Sequence, residues 1–200
     1  MKQFIKQIFE KKFNNNPIVF FDRDGVITKK RDFLLNKKGI SFYKSTIKAI
    51  QLLNSNKFPI AIVTNQPVVA RGLITSSDLL DINVEIVKRL KENNAFINAV
   101  YSCPHHPKGN LSKYRILCRC RKPGTLLIEE GLRQFEASSN KSYLIGDQTT
   151  DIQAGKDSGL KTFLVKTGYG GKDKKCKAIP DYTCNNALEA VKIILKDLSL

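Results

Sequence analysis

Asp22-Arg23-Asp24-Gly25-Val26 follows directly on the apolar run Ile18-Val19-Phe20-Phe21. Residues i and i+2 of a strand point the same way, so a strand ending here delivers Asp22 and Asp24 together. Gly25 permits the sharp turn that comes next. Two carboxylates at the carboxyl edge of a buried strand suit nucleophilic attack by one and proton transfer by the other. Taken alone, the same residues also read as a solvated Asp-Gly turn. Downstream, Tyr143-Leu144-Ile145 runs into Gly146-Asp147-Gln148-Thr149-Thr150-Asp151, a strand followed by G-D-x-x-x-D. Asp147 at that tip can reach the crevice beside Asp22. Carboxylates gathered in one crevice repel one another unless a cation sits among them, and hard oxygen ligands suit Mg²⁺. Asp151 reads either as a charge favoured at a helix N-terminus or as outer support for the metal. Thr64 offers a hydroxyl at another strand end. Lys122, in Arg121-Lys122-Pro123-Gly124, offers a cation for a phosphoryl group, although alone it also reads as a surface lysine.

A second constellation has softer donors. Cys103-Pro104-His105 and Cys118-Arg119-Cys120 form C-x-H-x12-C-x-C. Thiolates and an imidazole in close pairs around a short loop suit a closed, structural Zn²⁺ site, since four protein ligands leave no open position. His106 is the neighbouring alternative to His105 and is left unassigned. Cys176 and Cys184 lie far away and read as ordinary thiols.

The elements that must position these residues alternate. Strands are expected over Ile18–Phe21, Pro59–Val63, Ala99–Tyr101, Tyr143–Ile145 and Thr162–Val165. Helices are expected from Ser45 as a cap, from Ser76 or Ser77 as a cap through Leu79, Ile82, Ile86 and Leu90, over Thr125–Phe135, over Thr150–Asp157 and over Asn186–Leu198. This alternation predicts an α/β fold, a Rossmann-like, mainly parallel sheet with helices on both faces. Asp22, Asp24, Thr64, Cys103 and Asp147 then share one sheet edge, where loops converge on a crevice. Residues 1–16 are expected as an N-terminal amphipathic extension, a short helix docking Phe4, Ile5, Ile8 and Phe9 on the domain. A single domain then covers 17–200, with the zinc loop at 103–120.

Composition bounds the partners. The chain has 200 residues, 42% of them hydrophobic, enough for a packed core. No apolar run approaches the roughly 20 residues of a membrane span. No signal-peptide pattern opens the chain, and the expected location is cytoplasmic. A net charge of +16 favours anionic ligands. The lysines are scattered, with one concentration at 172–177, so nucleic acid is not the expected partner. A monomer acting on a small phosphorylated molecule is.

The ordered set of D-x-D-G, Thr64, Lys122 and G-D-x-x-x-D resembles the haloacid dehalogenase superfamily of phosphatases, from Ile18 to about Gly168. That resemblance implies Asp22 as nucleophile, Asp24 as acid and base, Thr64 and Lys122 holding the phosphoryl group, and Mg²⁺ bound by Asp22, the Asp24 carbonyl and Asp147. Thr64-Asn65-Gln66-Pro67-Val68-Val69-Ala70-Arg71-Gly72, with the Cys103–His106 and Cys118–Pro123 segments, is similar to the D-glycero-D-manno-heptose 1,7-bisphosphate 7-phosphatases. Those enzymes serve nucleotide-activated heptose synthesis for surface polysaccharide. The resemblance implies substrate contacts at Arg23, Arg31, Asn65, Gln66, Pro67, Arg71 and Arg121. The related histidinol-phosphate phosphatases share the zinc loop and are the alternative, as is, in another class, a nucleic-acid end-processing protein. Departures fall at Lys29-Lys30-Arg31-Asp32-Phe33, which lacks the usual Gly-Tyr, at Tyr43-Lys44-Ser45, where a Pro-Gly turn is expected, and at Gln148, where the heptose enzymes often carry lysine.

Overall fold

The computed structural model describes residues 4–10, 17–30 and 32–197. Its centre is β2 (Val19–Phe21), flanked in parallel by β3 (Ile60–Asn65) and β5 (Tyr143–Gly146). β4 (Ala99–Cys103) lies beyond β3, and β6 (Lys161–Val165) and β7 (Tyr182–Cys184) lie beyond β5, all parallel to their neighbours. The chain builds outward from β2 to β4, then returns to the other side of β2. Such a reversal of strand order opens a crevice at the carboxyl ends of the two central strands.

Pleating divides the core. Val19 and Phe21 face one side, with Ile60, Ile62, Val100, Ile145, Phe163, Val68 and Val69 of the short α2 (Pro67–Ala70), and the apolar faces of α1 (Lys44–Ser55), α3 (Ser76–Glu92) and α6 (Ala187–Asp197). Ile18 and Phe20 face the other, with Ala61, Val63, Tyr101, Leu144, α4 (Leu126–Phe135) and Ala154 of α5 (Thr149–Asp157). A strand buried on both faces must be apolar at every position. Phe20 and Phe21 are both fully buried, each contributing about 1.5–3 kcal/mol. This burial anchors the strand that carries Asp22.

Three expectations require correction. The segment after Phe4 is not a helix: β1 (Ile5–Ile8) pairs antiparallel with β4 at the sheet edge. Its few mixed residues fit either period, and the decision goes to the unpaired backbone of β4, which a strand satisfies and a helix does not. The apolar face expected of a helix is split between layers, with Ile5 in one core and Phe4 and Ile8 in the other. Second, α3 is capped by Thr75 rather than Ser76 or Ser77. Thr75 Oγ1 accepts from Asp78 N at 3.0 Å and Asp78 Oδ2 accepts from Thr75 N at 2.8 Å, a reciprocal capping box. Third, Ser45 lies inside the first turn of α1, which starts at Lys44 without a side-chain cap.

Candidate active site and metal centre

β2 ends where its ladder makes one last bond, from Asp22 N to Ile145 O at 3.0 Å. Asp22 thereby lies between the ends of β3 and β5. Its Oδ1 accepts from Lys122 Nζ at 2.6 Å. Lys122 Nζ also donates to Val63 O at 2.7 Å and lies 2.7 Å from Asp151 Oδ1. Two hydrogen bonds and a close ion pair surround the ammonium, and the side chain is 2% exposed. Asp151 therefore does two things: it pairs with Lys122, and its Oδ2 accepts from Gln148 N at 3.0 Å at the start of α5.

Asp147 follows β5 and is fully buried. Its Oδ2 accepts from Tyr169 N at 2.6 Å, whereas Oδ1 has no hydrogen-bond partner among the described residues. Carboxylate oxygens of Asp22, Asp147 and Asp151 lie within 4.8 Å of one another. Burial raises the Asp22 carboxyl to about 7, against the pull of Lys122 and with the push of Asp151 and Asp24. Burial, then repulsion from Asp22 and Asp151, raises Asp147 to about 8. An unpartnered, buried oxygen among mutually repelling carboxylates, which are hard oxygen donors, fits a divalent cation. Gly25 and Gly168 both have positive φ and press on the Asp147 carboxylate, where a Cβ would clash. The turn foreseen at Gly25 thus makes room for the third acid.

Asp24 is set differently. It keeps about a third of its side chain open. Arg23 Nε and Nη2 donate to its two oxygens at 3.1 and 2.8 Å, Gln66 Nε2 donates at 2.7 Å and Thr28 Oγ1 at 2.9 Å. Burial pushes its carboxyl up, but Arg23 and these hydrogen bonds outweigh that and hold it below the usual carboxylate range. Thr64 lies beside it, its Oγ1 accepting from Gln66 Nε2 at 2.8 Å.

The residues expected to contact substrate divide. Arg23 is 1% exposed and turned inward to Asp24 and Asn83. Asn65 clips the Lys122 backbone, Oδ1 accepting from its N at 2.9 Å and Nδ2 donating to its O at 3.0 Å. Two cavities open beside the acids. One, of about 120 Å³, is bordered by Asp24, Lys30, Phe33, Gln66, Pro67 and Tyr169. The other, of about 410 Å³, is bordered by Asn65, His106, Arg121, Lys122, Gln148 and Lys175. Arg71 borders neither; its guanidinium stacks 5.0 Å over the Phe33 ring. Arg31 lies outside the described residues. His106, unassigned by sequence, is a wall of the larger cavity. Its Nδ1 accepts from Lys108 N at 3.0 Å, which leaves its proton on Nε2. Burial, then Arg121 and Arg71, holds its pKa down. Lys175 was also missed, because it enters from the 172–177 loop. Asp173 ties that loop to α5, accepting from Thr149 N and Oγ1 at 2.8 Å each.

The soft-donor quartet comes together beyond β4. Cys120 Sγ lies 3.1 Å from Cys103 Sγ, 3.2 Å from Cys118 Sγ and 3.3 Å from His105 Nδ1. Four soft donors turned on one point fit a closed tetrahedral Zn²⁺ site. His105, not His106, completes it. Cys120 stands two residues before Lys122, so the loop that carries the quartet also aims the lysine.

The HAD-hydrolase-like family model matches residues 119–190. Over 147 residues, 74% of this chain and 82% of the relative, the chain is 33% identical to the D-glycero-beta-D-manno-heptose-1,7-bisphosphate 7-phosphatase of Rhodopseudomonas palustris. It is 31% identical to the alpha-anomer enzyme of Photorhabdus laumondii, over 90% of this chain and 98% of that one. Among solved structures, D,D-heptose 1,7-bisphosphate phosphatase from B. bronchiseptica, complexed with magnesium and phosphate, superposes with a TM-score of 0.79 at 25% identity, covering 90% and 99% of the two chains.

Proposed function

The chain belongs to the family of D-glycero-D-manno-heptose-1,7-bisphosphate 7-phosphatases among the haloacid dehalogenase-like hydrolases, and we propose from that membership that it hydrolyses the 7-phosphate of a heptose 1,7-bisphosphate. The observation that carries this is the joining of two sites: the Asp22–Lys122–Asp147 cluster, and beside it a cavity walled by His106, Arg121 and Lys175. A bisphosphate has one phosphate for each.

Asp22 attacks the 7-phosphorus, and the sugar oxygen leaves with a proton from Asp24. Asp24 then takes a proton from water as the water attacks the aspartyl-phosphate, and that proton serves the next leaving oxygen. Lys122 and Thr64 hold the phosphoryl oxygens. Asp22, the Asp24 carbonyl and Asp147 would hold Mg²⁺, which when bound neutralises charge on the transferring group. Cys103, His105, Cys118 and Cys120 would hold Zn²⁺ as a structural ion. Asn65, Gln66, Pro67 and Arg121 line the approach; Arg71 and Arg31 complete the expected contacts. The same reading makes the protein a monomer of the cytoplasm with no nucleic-acid partner. Among the described residues, no helix is long and apolar enough to cross a membrane.

Steady-state phosphate release from both heptose bisphosphate anomers and from histidinol phosphate tests the substrate. We expect the highest kcat/KM for one of the heptose anomers. A higher value for histidinol phosphate overturns the assignment while leaving phosphatase chemistry intact.

A further inference from the structure

Buried polar residues without a part in the chemistry above form one line leading away from Asp24. Arg23, which grips both Asp24 oxygens, donates through Nη1 to Asn83 Oδ1 at 3.2 Å. Asn83, on α3, is 1% exposed. Its Nδ2 donates to Ser102 Oγ on β4 at 3.1 Å and to Gln7 Oε1 on β1 at 3.0 Å. Gln7 Nε2 donates onward to Leu80 O at 3.2 Å. Neither Asn83 nor Gln7 borders the two cavities beside the acids.

An amide presents an acceptor at one end and donors at the other. Arg23 needs the acceptor end, because an unpaired buried guanidinium donor is costly. What keeps Asn83 facing that way is the pair of acceptors behind it, Ser102 and Gln7. A flipped Asn83 would set donors against donors and loosen Arg23. The grip on Asp24 therefore reaches back to the edge strand.

We propose that Asn83 and Gln7 are positioning residues that hold Arg23, and through it Asp24, in place to activate water. This makes the N-terminal strand part of the catalytic apparatus, and it rests on the reading of Asp24 as the proton carrier of a phosphatase cycle. In the step concerned, the water oxygen bonds to phosphorus and one water proton passes to Asp24. The Asp22–phosphorus bond breaks, its electron pair returning to the Asp22 carboxylate, and inorganic phosphate leaves. A displaced Asp24 slows this second half. It hardly affects the first half with 4-nitrophenyl phosphate, whose leaving group needs little protonation.

The test is steady-state and rapid-mixing kinetics on that ester, with thermal melts of every variant. For Asn83→Ala, kcat and KM fall together by roughly tenfold, a part of the usual acid–base contribution. kcat/KM holds and a burst of nitrophenolate appears. Gln7→Ala, at the edge strand and milder for folding, shows the same pattern more weakly. The double variant is no worse than Asn83→Ala, because Gln7 acts through Asn83. Asn98→Ala serves as the control: its buried Oδ1 accepts from Ile60 N at 2.8 Å, at the far end of the sheet, and its loss lowers Tm without the paired fall. An active wild type whose Asn83 and Gln7 variants lose kcat at constant KM, without a burst, or lose nothing, overturns this inference alone. A wild type that turns over no phosphate ester overturns the functional reading as well.

Discussion

Lys122 carries the tightest local balance of charge. It is the cation of two buried carboxylates, Asp22 at 2.6 Å and Asp151 at 2.7 Å. Removing one partner from a buried ionic group leaves an uncompensated charge, at a cost of about 3–5 kcal/mol. Lys122→Met is therefore expected to lose stability of that order in urea unfolding at neutral pH. It also loses turnover by roughly a hundredfold or more, since the phosphoryl group loses its fixed cation. Stability equal to the wild type would contradict the ion cluster described here. At this scale the acids were plain from type and spacing: D-x-D-G after an apolar run, then G-D-x-x-x-D. Their partners were not. Asp151 as the anchor of Lys122, Asn65 as a clip on its backbone and Arg23 as a brace for Asp24 all depend on which side chains meet across the crevice.

Among the elements, the 103–120 loop is held by little apolar core of its own; Leu111, Ile116 and Leu117 are all exposed. Its order is expected to depend on the quartet, and Lys122 follows two residues after the last ligand. Metal analysis is expected to find about one zinc per chain. Stripping it with a chelator, then restoring Mg²⁺ alone, should leave a lower Tm and most of the activity missing until zinc is returned. Full activity in a zinc-free protein would show that the loop orders itself. The quartet was legible because close ligand pairs declare themselves in sequence. β1 was not, since four mixed residues carry no decisive period and their conformation is chosen by the open edge of β4. β7 (Tyr182–Cys184) escaped for a similar reason: it is three residues long and only Cys184 is buried.

Across the whole molecule, 34 lysines and arginines face 18 acids. Such a field draws anions and is screened over about 8–10 Å at physiological salt. kcat/KM for a bisphosphate is expected to fall several-fold as salt rises from about 20 mM to about 200 mM, and more steeply than for 4-nitrophenyl phosphate. Equal slopes would mean that the second phosphate gains nothing from the cavity walled by Arg121 and Lys175. The fold class was readable because apolar strands alternate with amphipathic helices, a pattern that a doubly covered parallel sheet requires.

By itself, then, the amino-acid sequence determined which chemistry the chain carries: acids on strand tips, a soft quartet in close pairs and an alternating fold to hold them. These are local facts, set by side-chain period, turn propensity and ligand spacing. Tertiary structure alone decided how that chemistry is held. Lys122 meets Asp22 across 100 positions of chain, Asn83 meets Arg23 across 60 and Gln7 meets Asn83 across 76. Such pairings follow from strand order and helix packing, which bring together groups that no local pattern connects.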